Sequence, residues 1–224
     1  MPKKYFAIAI DGPSGSGKST AAKRAANELG FIYADTGAMY RAAALYCMEK
    51  NCDLSNEAAV CSLLEEIEIK LEYINGQQSI YLNGKDVTGE IRTQTVAEGS
   101  SKVAAINEVR KKLVAIQRKV AESSDIIMDG RDIGTHVLPD AQLKIYMDAG
   151  AKVRAARRVD ELNQKGIGAD YNQVLDEIIK RDERDTERDL SPLRISDGAV
   201  YLDTGNMTED DVVKKIICLY RERA

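Results

Sequence analysis

Histidine occurs once in this chain, as His136, and cysteine four times, as Cys47, Cys52, Cys61 and Cys218, with no C-x-x-C among them. That set makes a poor zinc site. The thiols read as reduced and mostly placed in core helices, which points to a cytoplasmic protein. A Ser-His-Asp triad finds no support either, because nothing near His136 resembles a nucleophile elbow. Positive charge is not in excess: 32 Lys and Arg stand against 36 Asp and Glu, for a net charge of −4. The balance argues against a polynucleotide partner, and any basic contacts to an anionic substrate must be local. No apolar run approaches membrane-spanning length. Met1 to Tyr5 runs directly into an apolar stretch, leaving no room for a signal peptide. An N-K-x-D guanine reader is missing, as are internal repeats and low-complexity linkers.

What is present is ordinary in bulk and specific in one place. With 44% hydrophobic and 30% charged residues over 224 positions, the sequence suits one α/β domain, with room for an inserted sub-domain. The stretch Gly12-Pro13-Ser14-Gly15-Ser16-Gly17-Lys18-Ser19 fits G-x-x-x-x-G-K-[ST] at every specified position. Tyr5 to Ile10 before it is an apolar run of the length expected for a strand buried on both faces. Thr20 to Leu29 after it is alanine-rich and helix-favouring, and Gly30 is a good stop. Strand, glycine loop and helix in that order give the motif its meaning. Glycines let successive N–H groups turn inward on a phosphate, and the helix N-terminus adds positive potential. Lys18 supplies a cation for the outer phosphates, and the Ser19 hydroxyl is placed to ligate Mg²⁺. The chain is expected to bind a nucleoside triphosphate.

Further along, Phe31 to Ala34 reads as a short strand, followed by Asp35-Thr36-Gly37-Ala38-Met39-Tyr40-Arg41 and helical pattern over about 38–50 and 57–66. Residues 67–74 then alternate apolar and polar, Asn75-Gly76 is a hairpin signal, and Ser79 to Leu82 is another short strand. These place a small antiparallel insert over about 63–104, within a core formed by about 1–62 and 105–224. A long helical stretch covers about 95–123, with a break near Ile106-Asn107. Strands are expected at 125–129, 142–147 and 199–203. Two helices at about 151–164 and 171–189 are joined by a glycine-containing tip, and Thr208 caps a last helix to about Arg221. Strands alternating with helices predict a parallel sheet covered on both faces.

Two clusters carry chemistry. Asp129 ends an apolar strand, so it either reaches the shell of a Mg²⁺ ion or caps the next turn. Arg181, Arg184, Asp185 and Arg188 share one helix face by spacing, as do Arg154, Arg157 and Arg158 on the helix before. Such faces are ordinarily solvated ion-pair ladders. Beside a phosphate loop they also suit phosphoryl transfer, which needs cations on the equatorial oxygens. The helical hairpin over about 151–189 reads as a lid that brings arginines over the triphosphate and excludes water.

Gly12 to Thr20, Asp35 to Arg41, Gly89-Glu-Ile-Arg-Thr93, Asp129-Gly-Arg-Asp-Ile-Gly-Thr135 and Arg181-Asp-Glu-Arg-Asp185 occur in that order. The set resembles bacterial cytidylate kinases, P-loop nucleoside monophosphate kinases, over nearly the whole chain. Asp129-Gly130-Arg131-Asp132 and Ala38 separate it from the adenylate kinase pattern. The resemblance implies a five-stranded parallel core sheet flanked by helices, an insert that binds the monophosphate, and a helical lid. It implies transfer of the γ-phosphoryl of ATP to CMP or dCMP with Mg²⁺, by a monomer with no nucleic-acid or membrane partner. By position it assigns Gly12, Pro13, Ser14, Gly15, Ser16, Gly17, Lys18, Ser19 and Thr20 to ATP; the groups expected to serve catalysis are Lys18, Asp129, Arg131 and Arg158. Thr36, Arg41 and Arg131 would meet the CMP phosphate, while Ser101, Arg110, Asp132 and Arg188 would surround the cytosine. Arg181 and Asp185 would meet the ribose. The acceptor is a phosphate oxygen already largely ionised near neutral pH, so no general base is needed. Two rival readings are another small P-loop kinase, for shikimate or gluconate, and a slowly hydrolysing switch that acts through partners.

Overall fold

The computed structural model describes residues 5–74, 77–164 and 166–224. In chain order the elements are β1 (Ala7–Asp11), α1 (Lys18–Leu29), β2 (Ile32–Asp35), α2 (Thr36–Glu49) and α3 (Glu57–Leu63). Then come β3 (Ile69–Ile74), β4 (Gln77–Leu82), β5 (Lys85–Asp86), α4 (Gln94–Val103) and α5 (Asn107–Ala121). The remainder are β6 (Ile126–Gly130), β7 (Leu143–Asp148), α6 (Ala151–Gln164), α7 (Tyr171–Glu187), β8 (Val200–Asp203) and α8 (Glu209–Arg221). Five parallel strands form one sheet in the order β2-β6-β1-β7-β8, and β3-β4-β5 form a separate antiparallel sheet. The expected turn at Asn75-Gly76 and Lys165 of the expected lid tip lie outside the described residues.

The described residues divide into two compact units, one of residues 6–31 and 127–224, the other of 32–126 with Tyr5. In the first, β1 and β6 are buried almost throughout, which is why their sequences read as unbroken apolar runs. Strand β7 instead alternates, with Leu143, Ile145 and Met147 buried and Lys144, Tyr146 and Asp148 half-exposed. Its register against β1 sets Asp11 opposite Tyr146 and so brings the end of β7 level with the glycine loop. Helix α1 buries Ala21, Ala22, Ala25 and Ala26. Their small side chains let the helix lie close to its neighbours while keeping its propensity high. Phe6, Phe31 and Tyr220 meet edge to face, with centroids of the tyrosine 5.0 and 5.2 Å from the two phenylalanines.

The second unit has its own core, in which Met39, Ala42, Cys47, Val60, Ile80, Val87, Ile91, Val103, Val109 and Leu113 are buried. Helices α2 and α4 approach closely at Gly99, where an added Cβ would come within 2.9 Å of a Leu54 methyl and 3.4 Å of Ala44. The register of β3 on β4 pairs Ile69 with Leu82 and Leu71 with Ile80, placing the apolar members on one face.

Several boundaries differ from the sequence reading, each for a local reason. Helix α2 starts at Thr36 rather than near Ala38, because the Asp35 carboxylate accepts from the Ala38 N–H at 3.0 Å and caps it. Helix α7 ends at Glu187, and Arg188 is extended, so the i, i+7 relation with Arg181 does not hold. A five-residue π-helical turn at Ile133–Val137 has no counterpart in the pattern-based reading. All four cysteines are free, Cys47 buried and Cys218 exposed on α8, so the last is not a core thiol.

Helix α8 opens with a full capping box, in which the Thr208 hydroxyl and the Asp211 carboxylate each serve the other's backbone N–H. Thr208→Ala should cost about 1 kcal/mol. The midpoint of thermal unfolding should fall by roughly 2–4 °C, and calorimetry that finds no change would remove the box from the stabilising contacts.

Candidate active site

The glycine loop leaves β1 by passing against β7. An added Cβ at Gly12 would lie 2.0 Å from the Met147 carbonyl oxygen, so only glycine fits where the loop starts. At the other end Gly17 caps α1 with φ 84°, a left-handed conformation that frees the first N–H groups of the helix to face the loop. Lys18 is buried, and its Nζ donates to the Pro13 carbonyl at 3.0 Å, back across the loop. The fold encloses the side chain, leaving 5% of the residue exposed. Burial, with Arg131 and Arg181 close by, pushes its pKa down to about 7, against the pull of Asp129 and Asp185. Three cationic side chains gathered at a buried position make an environment that suits an anion.

The Ser19 hydroxyl donates to the Asp129 carboxylate at 2.7 Å. One hydroxyl and one carboxylate are hard oxygen donors of the kind Mg²⁺ takes alongside phosphate oxygens and water. Among the described residues no cluster of three or more His, Cys, Asp or Glu could hold a metal by itself. The donor set therefore fits Mg²⁺ carried on a nucleotide.

Around this loop stand the arginines. Arg131 Nε donates to Asp185 at 2.7 Å, both groups mostly buried. Burial raises the Asp185 carboxyl, but Arg131, Arg181 and Arg188 outweigh it and hold the group below the usual carboxylate range. Arg188 Nε donates to the Ser191 carbonyl at 2.6 Å, and its Nη2 lies 3.9 Å from Asp132. Arg154 is buried, with bonds to Ala149, Ser14 and Asp182. Arg157 donates to the Thr204 carbonyl at 2.7 Å. Of the expected catalytic groups, Lys18, Asp129 and Arg131 thus lie together. Arg158 does not join them: it pairs with Glu161 at 2.8 Å on an exposed face of α6.

Of the groups expected at the monophosphate, Thr36, Arg41, Ser101 and Arg110 lie on three helices of the other unit. Thr36 is the buried first residue of α2, and Arg41, one turn on, donates to the Ile91 carbonyl at 3.4 Å. Ser101 is half-buried on α4. Arg110 is buried on α5, donating to the Ala104 carbonyl at 3.3 Å with its guanidinium 5.8 Å from the Tyr40 ring centroid. Gln78 of β4 accepts from the Asp35 N–H at 2.7 Å and so ties the antiparallel sheet to the start of α2.

Sequence reasoning missed Asp11. Its two carboxylate oxygens accept from the Ile133 and Gly134 N–H groups, each at 2.7 Å, and so hold the turn that follows Arg131 and Asp132. The one available signal was its position, an acid directly between a buried strand and the glycine loop. Burial pushes its pKa up to about 6, partly opposed by the two N–H groups.

Residues 8–222 match the model of the family described as cytidylate kinase. A cytidylate kinase of Caldicellulosiruptor bescii is 45% identical over 97% of this chain and 96% of its own length. One from Lactobacillus johnsonii is 47% identical over 93% and 91%, and one from Bacillus licheniformis 44% identical over 99% of both. Among solved structures, an uncharacterised protein from Eubacterium ventriosum superposes with a TM-score of 0.52 at 16% identity, covering 97% of this chain and 99% of that one. That likeness bears on the fold alone.

Asp11 yields a prediction with a definite sign. Its proton is held more tightly in the folded state, at about 6, than at the ordinary 3.8. Its ionisation therefore takes stability away as pH rises between those values. The stability of the wild type relative to Asp11→Asn should fall across that interval by on the order of 2–3 kcal/mol. Urea denaturation of both proteins from acid to neutral pH measures it; a difference that is flat or grows would contradict the assigned environment.

Proposed function

The chain belongs to the cytidylate kinase family, and on that premise we propose how its residues move the γ-phosphoryl of ATP to CMP or dCMP. The observation that carries the reading is Lys18, buried among Arg131 and Arg181 at the neck of a glycine loop. Phosphoryl transfer between two nucleotides sets a polyanion against a second anion, and positioned cations are the means of cancelling that repulsion.

Residues Gly12 to Thr20 hold ATP, with loop N–H groups and Lys18 on the β- and γ-phosphates. Bound with the nucleotide, Mg²⁺ would be held by Ser19 beside Asp129 and would supply charge neutralisation between phosphates. Thr36, Arg41 and Arg131 take the CMP phosphate. Ser101, Arg110, Asp132 and Arg188 take the cytosine, and Arg181 and Asp185 the ribose; these follow the family pattern. Arg131 starts on Asp185 and exchanges that carboxylate for phosphate oxygens as substrate arrives. Residues 63–104 form the monophosphate-binding insert. The hairpin over about 151–189 acts as the lid, and it carries Arg158 to the phosphates when it closes. The enzyme works as a cytoplasmic monomer without nucleic-acid or membrane partners.

A coupled assay of ADP release across CMP, dCMP, UMP, AMP, shikimate and no acceptor tests the reading. Turnover with CMP and dCMP is expected; preference for shikimate, or equal rates without acceptor, would replace it. Lys18→Ala should nearly abolish turnover. Because the folded site lowers the lysine's pKa, its charge is a burden at neutral pH, so the variant should unfold no earlier than the wild type.

Asp185→Ala should lower kcat/KM for CMP by about one to two powers of ten, the value of a hydrogen bond to a charged group, with ATP affinity unchanged. Equal losses for dCMP would mark the 3′-hydroxyl or the support of Arg131 as its role. A smaller loss for dCMP would mark the 2′-hydroxyl, and unchanged kinetics for both would remove Asp185 from the site.

A further inference from the structure

Arg154 is absent from the groups assigned to either nucleotide, yet it is the most completely enclosed arginine on the lid, with 4% of its side chain exposed. Every branch of its guanidinium is used. Nε donates to the Ala149 carbonyl at 2.8 Å, Nη1 to the Ser14 carbonyl at 3.0 Å and to Asp182 at 3.1 Å, and Nη2 to the other Asp182 oxygen. These partners belong to the end of β7, the glycine loop and the lid helix α7. Its aliphatic stem also packs on Gly15, whose added Cβ would lie 3.5 Å from that of Arg154.

The bond to Ser14 matters most, because a trans peptide points its C=O and its N–H in opposite directions. No peptide in the described chain is cis. Holding the Ser14 carbonyl on the Arg154 side therefore aims the Gly15 N–H away from it, and inward N–H groups are what a phosphate loop offers its ligand. The Thr204 hydroxyl shares its one proton between the Ser16 carbonyl at 3.1 Å and the Asp148 carbonyl at 3.0 Å, and so gives the Ser16–Gly17 peptide a weaker hold of the same kind. A flexible loop left to itself would pay ordering entropy when the phosphate binds; one held from outside has less to lose.

We propose that Arg154 is a positioning residue for nucleotide binding. Its guanidinium fixes the Ser14–Gly15 peptide with the N–H towards the phosphate, and its ion pair with Asp182 makes that hold depend on lid helix α7. The inference rests on the reading of the loop as the ATP site. Lysine cannot substitute, since an ammonium lacks the planar fork that reaches a carboxylate and two carbonyls at once.

The test measures Arg154→Ala and Asp182→Asn in the full chain, with KM determined separately for ATP and CMP. Direct binding of a fluorescent ATP analogue without CMP separates failure of this inference from failure of the kinase reading. Arg154→Ala should weaken ATP use and analogue binding about 10- to 100-fold, with KM for CMP changed less than about two-fold at saturating ATP. Millimolar guanidinium should restore several-fold of the loss, while sodium at equal ionic strength should not. Asp182→Asn, which keeps the shape and removes the charge, should show a smaller loss of the same kind. Equal losses for ATP and CMP, unchanged ATP binding, or no recovery with guanidinium would each overturn the proposal. Should Arg154→Ala fail to fold, unchanged ATP affinity in Asp182→Asn would overturn it alone.

Discussion

Positive charge held close together out of water is the constraint on which the rest of this site depends. Burial above all, with the neighbouring charges of Arg131 and Arg181, brings the Lys18 pKa down to about 7. The cations stay together because the carboxylates are distributed with equal care. Asp185 takes Arg131, Asp182 takes Arg154, and Asp129 lies beside the lysine's helix through Ser19. Buried ion pairs return little net free energy, because desolvation offsets most of the attraction. For an enzyme that is useful: a pair near balance can be exchanged for a phosphate contact at small net cost, whereas a strongly favourable pair would compete with substrate.

Helix α7 shows how the distribution is made. In Arg181-Asp182-Glu183-Arg184-Asp185 the two carboxylates that matter are three residues apart and so lie on one side of the helix. One reaches an arginine from α6, the other an arginine from the turn after β6. The outward members behave differently, Arg184 donating to its own helix at the Lys180 carbonyl. One short charged segment thus contains both a solvated face and a functional one. An acidic chain with net charge −4 can therefore bind anions, because its cations are gathered locally and its carboxylates hold them in place.

What the sequence disclosed follows from how local each signal is. The glycine loop, its flanking strand and helix, and the break between α4 and α5 are encoded within a few residues, and all were legible. The antiparallel sheet was legible from alternation over β3 and from the short strand run Ser79 to Leu82 within β4. Helix spacing alone grouped Arg154, Arg157 and Arg158, and it could not say which one meets the loop. That choice depends on where α6 sits against residues 140 positions earlier in the chain, the separation of Arg154 from Ser14. The same limit hid Asp11, whose partners are 122 and 123 positions away. Arg188 was misread for the opposite reason: a strong helical pattern was extended past Glu187, where the backbone turns extended and the Leu193 N–H folds back on the Asp185 carbonyl.

Backbone, more than side chains, then sets what this site can do. The loop begins where β7 leaves no room for a Cβ, and its carbonyls at Pro13, Ser14 and Ser16 each face a donor: Lys18, Arg154 and Thr204. Two of those donors come from elements outside the loop, and the third, Lys18, from the helix that the loop opens. Its ammonium donates to the Pro13 carbonyl in a crowded site, and a triphosphate offers it several oxygens and a full negative charge. The loop is consequently built in two parts, a frame held by Arg154 and Thr204 and a cation that rests on it. Catalysis without a general base requires this kind of division, because its rate advantage lies in how little must be rearranged once both anions are in place.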